Sequence, residues 1–159
     1  MLYPRLLGRE FDRLPRVLRE FHSAPGGNRA SGRAAVRRAS FLSGVFGFPA
    51  EGDNIALELE VISVDGRETW IRNFGGKAMR TVQWQDGELL LEAMGPVHVA
   101  FRIFADETGM QFCSERARLW FIPIPLHVNA RVSGGESSWK FEVNVEYLGS
   151  YSGAMAPSL

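Results

Sequence analysis

Hydrophobic and polar positions alternate through most of the chain. Leu57, Leu59 and Val61 take one side of a segment whose other side is Glu58 and Glu60. Trp139, Phe141, Val143, Val145 and Tyr147 do the same against Lys140, Glu142, Asn144 and Glu146. A period of two is that of a half-buried strand. It predicts strands over Ser31–Ser40, Ile55–Val64, Arg67–Phe74, Lys77–Trp84, Glu88–Met94, Val97–Phe104, Met110–Arg116, His127–Ser133, Trp139–Tyr147 and Ser150–Ala156. Asp65-Gly66, Gly75-Gly76, Asp86-Gly87 and Gly95-Pro96 are among the separators. Short strands joined by tight turns imply an antiparallel meander. Such a sheet closes into a barrel, or curls strongly, to remove its exposed edges. The expected fold is mainly β and calycin- or lipocalin-like.

The first residues follow a different period. Leu6, Leu7, Phe11, Leu14, Leu18 and Phe21 recur at spacings of three and four, broken by Gly8 and Pro15. Pro15 suits the start of a short helix running to about His22, and "SAPGGN" ends it. A stripe this short suits a plug or lid on a sheet. The expected organisation is one domain over 1–159, with a helical head at 1–28 and a barrel body at 29–159. Two segments resist the strand pattern. "FLSGVFGFPAEGD" (Phe41–Asp53) reads as a loop packed over the barrel. "RLWFIPIPLH" (Arg118–His127) has alternating prolines, which cannot sit mid-sheet. It suits a cap on the barrel mouth or a contact with a partner or membrane.

The glycine turns fix register, and register fixes which side chains point inward. With Asp65-Gly66 as a two-residue loop, Val61 faces Trp70, Leu59 faces Arg72 and Leu57 faces Phe74. Glu68, Trp70, Arg72 and Phe74 therefore join the apolar inner face. With Gly75-Gly76 as the next loop, Arg72 pairs with Met79, Trp70 with Thr81 and Glu68 with Gln83. Asp86-Gly87 then pairs Thr81 with Glu92, and Gly95-Pro96 pairs Glu92 with Val99. Val97, Val99, Phe101 and Ile103 follow on the inside, with His98 and Arg102 outside. On the outer face, Glu60 comes within reach of Arg80.

The interior so threaded is apolar except for one streak: Glu68, Arg72, Thr81, Gln83 and Glu92, with Trp70 among them. Buried charges are costly unless paired, and the guanidinium of Arg72 is a natural partner for a carboxylate. Two readings stay open. The streak is a structural ion pair or a wet barrel mouth, or it is the polar part of a ligand pocket with apolar walls. In the second, Arg72 anchors or polarises an oxygen, and Glu68 or Glu92 serves as acid or base. Trp70, Phe74, Met79, Thr81, Gln83, Phe101, Trp139, Phe141 and Tyr147 then line the site.

Composition narrows the class. The chain has 159 residues, 45% of them hydrophobic and 23% charged, which is ordinary for a globular protein. No apolar run is long enough for a membrane span, and no leader sequence is recognisable. Cys113 is the single cysteine, so a cytoplasmic location is the default. Net charge is zero but unevenly spread. Residues 1–40 hold nine arginines against Glu10, Asp12 and Glu20, a net +6 that the remainder balances. Such a head docks on the acidic body or binds an anionic surface. It lacks the aromatic interleaving of a single-strand binder and any nucleic-acid motif. His22, His98 and His127 lack metal-ligand spacing, so no metal and no cofactor are expected. No phosphate loop, nucleophile elbow or dinucleotide fingerprint occurs.

Several words taken together carry a resemblance. They are Leu2-Tyr3, Leu7-Gly8, Phe11, Leu14-Pro15 and His22, then Phe48-Pro49, then Glu68-x-Trp70-x-Arg72-x-Phe74-Gly75. Gly95-Pro96 and Ile122-Pro123-Ile124-Pro125 complete the set. In this order and spacing the chain resembles the bacterial family called domain of unknown function 4166. Some members of that family are fused to reductases of the saccharopine-dehydrogenase type; this chain carries no such reductase. The resemblance implies no established activity or catalytic residue. It implies that the Trp-x-Arg-x-Phe-Gly word and the Pro-x-Pro segment belong to a shared design.

The expected partner is an apolar small molecule held in the barrel, with no nucleic acid and no membrane span. A homodimer is an open alternative. Binding extends, in one version, to cofactor-independent cyclase or isomerase chemistry in bacterial secondary metabolism. The alternatives are a non-catalytic, lipocalin-like carrier and an accessory module that docks on a reductase.

Overall fold

The computed structural model describes residues 1–158. Eleven strands follow in chain order: β1 Gly27–Arg38, β2 Gly52–Val64, β3 Arg67–Phe74, β4 Lys77–Asp86, β5 Leu89–Met94 and β6 Val97–Asp106. Then come β7 Gly109–Leu119, β8 Ile122–Ile124, β9 Val128–Gly134, β10 Trp139–Val145 and β11 Gly149–Pro157. Neighbours pair antiparallel, β7 continues to β9, and β11 returns to β1. The result is a closed barrel of ten strands, which has no open sheet edge around its ring. The eleventh strand, β8, pairs only with the last residues of β7, where β9 no longer reaches. Pro123 is tolerated there because β8 prolongs the wall at the mouth and lies outside the ring.

The threaded register holds across β2, β3 and β4. Val61 faces Trp70, Leu59 faces Arg72, Trp70 faces Thr81 and Glu68 faces Gln83. Glu92 also faces Val99 as expected. One pairing is corrected. The turn after β4 is Gly87-Glu88, not Asp86-Gly87, so Glu92 faces Gln83 and not Thr81. The slip is two residues, an even number, so every inward side chain stays inward. The expected contact of Glu60 with Arg80 does not form; Glu60 instead accepts from Arg29 of β1, at 2.6 Å. Glu60 is flanked by both strands, and β1 offers the guanidinium in reach. Tyr147 is corrected as well. β10 ends at Val145, and Tyr147 sits in the following turn at φ +67°, exposed on the rim.

The head closes one end of the barrel. It comprises α1 Leu2–Leu7, a 3-10 turn over Gly8–Arg13 and α2 Arg16–Ser23. Gly8 ends α1, and the carbonyl of Pro15 opens α2 by accepting from Leu18 at 3.0 Å. Leu2, Tyr3, Phe11, Leu14, Leu18 and Phe21 are buried against the strands. Polar contacts fasten the perimeter. Arg5 donates to Gln85 at 2.7 Å, and Arg13 pairs with Glu107 at 3.0 Å in the β6–β7 turn. Of these contacts only Arg13–Glu107 joins the basic head to an acidic group of the body, and an exposed pair of this kind contributes little.

The seam that closes the barrel runs between β1 and β11, and its inner face sets Gly32, Ala34 and Gly153 among larger residues. A Cβ on Gly153 would lie 1.9 Å from the carbonyl oxygen of Arg33, and one on Gly32 would lie 1.9 Å from that of Ala154. Glycine lets the two strands coil sharply at the point of closure. Gly153→Ala should therefore force the backbones apart and cost about 1–3 kcal/mol. The expected readout is a lower urea midpoint with an unchanged strand signature by circular dichroism.

Candidate functional site

The barrel encloses a cavity of about 810 Å³, within the range of pockets that bury a whole small ligand. Its walls are mostly apolar. The plug supplies the floor through Tyr3, Leu18, Phe21 and His22, and the mouth lies at the opposite end. The segment after β1 arches over that mouth, with a short helix α3 at Leu42–Val45. Arg38 ties it down by donating to the carbonyls of Pro49 and Phe48 at 2.8 and 2.9 Å. Buried Ser43 donates to the carbonyl of Leu148 at 2.5 Å, in the neighbouring β10–β11 turn. This segment is a lid on one side of the mouth, as its glycine-rich, apolar sequence suggests. The Arg118–His127 segment caps the other side. Its inner residues Ile124, Pro125 and Leu126 line the cavity, while Trp120 and Phe121 project into solvent.

The polar streak is present along one wall. Arg72 donates through Nη1 to Thr81 Oγ1 at 2.8 Å and through Nη2 to Glu92 Oε1 at 3.2 Å. Its guanidinium carbon lies 5.0 Å above the Trp70 ring, a cation–π contact. Burial works against the charge of Arg72, but Glu92, Tyr151 and Tyr3 together outweigh it and hold its pKa above the ordinary value. β5 pairs with β4 two residues away from the expected register. It sets Glu92 opposite Gln83, diagonal to Thr81, where Arg72 can reach both.

Most expected site residues come together. Arg72, Glu92, Trp70, Met79 and Thr81 line the cavity. So do Gln83, Phe101, Trp139 and Phe141, and Tyr147 lines it from the rim. Glu68 and Phe74 do not reach it. Phe74 packs edge-on against Tyr151 in the wall, with ring centroids 5.4 Å apart. Glu68 is 3% exposed and accepts from Trp70 Nε1 at 3.1 Å, beneath the head. Burial raises its pKa, while the hydrogen bonds from Trp70 and the Leu2 amide oppose the rise. Its role here is to fasten the plug and orient Trp70.

Several lining residues lie outside the set that the strand pattern singled out. Tyr3 donates from its hydroxyl to Gln83 Oε1 at 2.9 Å and stands 4.1 Å from the His22 ring. Burial pushes the Tyr3 hydroxyl well above its usual pKa, with Glu68 and Glu92 adding to the rise. Burial alone holds His22 down to a pKa of about 3, so its imidazole is neutral. Tyr151, on the inner face of β11, faces the same space, and burial raises its pKa too. His22 follows Leu18 by four residues, which already put it on the apolar face of α2.

Among the described residues no group of His, Cys, Asp and Glu could hold a metal ion, and no helix is long and apolar enough to cross a membrane. No family model, curated protein or solved structure matches the chain.

Proposed function

We propose that the protein binds an apolar small molecule inside the barrel, with a polar oxygen of that molecule directed at Arg72. The observation that carries this reading is the cavity itself: about 810 Å³, apolar walls and one charge-balanced polar streak. Glu92 lines that space, and its second oxygen has no hydrogen-bond partner among the described residues. This supports cofactor-independent isomerase or cyclase chemistry. Arg72 would polarise a carbonyl while Glu92 takes a proton from a neighbouring carbon and returns it elsewhere. The lipocalin-like carrier uses the same pocket without turnover. Kinship with the domain of unknown function 4166 belongs to this proposal, supported by the ordered words described above. Cytoplasmic residence belongs to it also, supported by the lone Cys113.

The full chain purified from its native host should release an apolar molecule into organic solvent, identified by mass spectrometry. It should also take up a phenylnaphthylamine dye and transfer energy to it from Trp70 and Trp139. Absence of both would overturn the reading. With the released molecule in hand, Glu92→Gln separates the two versions: an isomerase loses turnover but keeps binding, whereas a carrier shows no turnover to lose.

One observation favours a second reading, an interaction module. The rim exposes Phe41, Phe121 and Trp120 at 85%, 83% and 66%, beside Val45 and Ile122. Apolar patches of this kind mark docking surfaces. A homodimer through the rim would dissociate in Trp120→Ser/Phe121→Ser, read by sedimentation.

A further inference from the structure

His22 lies in the last turn of α2 and faces the cavity from its floor. Flat rings surround its imidazole: Tyr3 at 4.1 Å, Phe21 at 5.4 Å and Trp70 at 5.8 Å between centroids. Trp139 adds a fourth ring 4.8 Å from Phe21. The other polar groups of this floor are engaged. The Tyr3 hydroxyl donates to Gln83, the Trp70 N–H to Glu68, and Arg72 to Thr81 and Glu92. The imidazole nitrogens have no such partner. Nor are they sealed off, since Nε of Arg19 is the sole buried side-chain polar atom without both partner and accessible surface among the described residues. His22 lines the cavity, so that space is where a partner for them can come from. A polar atom at an apolar floor is costly unless the occupant supplies its hydrogen bond.

Charge balance narrows the occupant further. Arg72 and Glu92 together carry no net charge. A bound anion would compete with Glu92 for Arg72, and a cation would compete with Arg72 for Glu92. His22 itself is kept neutral by its burial. A neutral imidazole has one N–H and one bare nitrogen, and a hydroxyl satisfies either. Flat rings on several sides favour a ring over a flexible chain, through stacked and edge-on contacts.

We propose that His22, at the blind end of the barrel between Tyr3 and Trp70, hydrogen-bonds a hydroxyl of an uncharged, ring-bearing apolar ligand. The inference rests on the cavity-binding reading above and specifies its ligand class. The ligand then has two polar points: a hydroxyl at the floor and an oxygen at Arg72, both beside the Trp70 ring.

The test uses the full chain, a phenylnaphthylamine dye and three competitors: naphthalene, naphthol and naphthoate. All three carry the same rings. Naphthol should displace the dye at roughly threefold to tenfold lower concentration than naphthalene, the worth of one neutral hydrogen bond. Naphthoate should be the weakest. The preference for naphthol should collapse to about onefold in His22→Phe, which keeps a ring in the plug, and should survive in His22→Gln. Dye uptake with no preference for naphthol, or a preference that persists in His22→Phe, would overturn the inference alone. No dye uptake would overturn the cavity reading and the inference with it. A measurement on the unmutated chain guards against a variant that fails to fold. With ¹⁵N-labelled imidazoles, naphthol should shift one His22 ring nitrogen and naphthalene should not. Equal shifts from both would also overturn the proposal.

Discussion

Between pH 6.5 and about pH 4 the protein is expected to lose about 3 kcal/mol of stability through His22 alone. The folded chain holds this imidazole at a pKa of about 3 against an ordinary 6.5, with burial as the cause. A depressed pKa means that the unfolded chain takes up a proton which the folded chain refuses. Stability from this group is therefore intact above pH 6.5 and falls by about 1.4 kcal/mol per pH unit below it, until the folded pKa is reached. Glu68 acts in the opposite direction. Its pKa is raised, so its contribution is present at low pH and is lost as pH rises through the folded value. Comparing the chain with His22→Phe by urea unfolding at a series of pH values isolates the histidine. The difference between the two curves should slope below pH 6.5 and be flat above it. A difference that stays flat down to pH 4 would mean the imidazole is protonated in the folded state.

The second large effect concerns the ion pair in the cavity wall. Arg72 and Glu92 have side chains only 14% and 20% exposed, so neither charge is well solvated without the other. Arg72→Met or Glu92→Leu should each cost about 2–4 kcal/mol, below the full range for completely buried pairs because the cavity side admits water. The double variant Arg72→Met/Glu92→Leu should recover most of that loss, since an apolar pair of similar bulk carries no desolvation cost. A double-mutant cycle by urea unfolding measures the coupling. Additive losses would show that the two groups act independently. The double variant is also useful for function. It should fold, enclose the same cavity and have lost the oxygen-binding point at Arg72.

These two expectations differ in how far they could be read from the chain. The inward placement of Arg72 and Glu92 was legible in the sequence. Strand alternation marks a face, and two-residue glycine turns carry that face from strand to strand. Even the misplaced turn after β4 did no harm to it, because a two-residue slip preserves the face. The residue that faces Glu92 on β4 was not legible, because a two-residue slip does change which side chains stand opposite. Glu68 shows the same limit. It does point inward, but whether an inward residue meets the cavity or the plug depends on how deep the head sits.

His22 marks the sharper boundary. Its place on the apolar face of α2 is visible in the spacing from Leu18. That the face closes a barrel, with the imidazole unpartnered above the floor of a cavity, depends on ten strands setting a ring too wide for their own side chains to fill. The sequence by itself determined most of the strands, the register of β2 with β3, β3 with β4 and β5 with β6, and the inward face there, because these follow from periodicity and turns over a few residues. The tertiary structure alone decided how deep the plug sits and how much space the ring leaves above it. Those depend on the closure between β1 and β11, which brings together residues more than a hundred positions apart, and no local pattern encodes a distance of that kind.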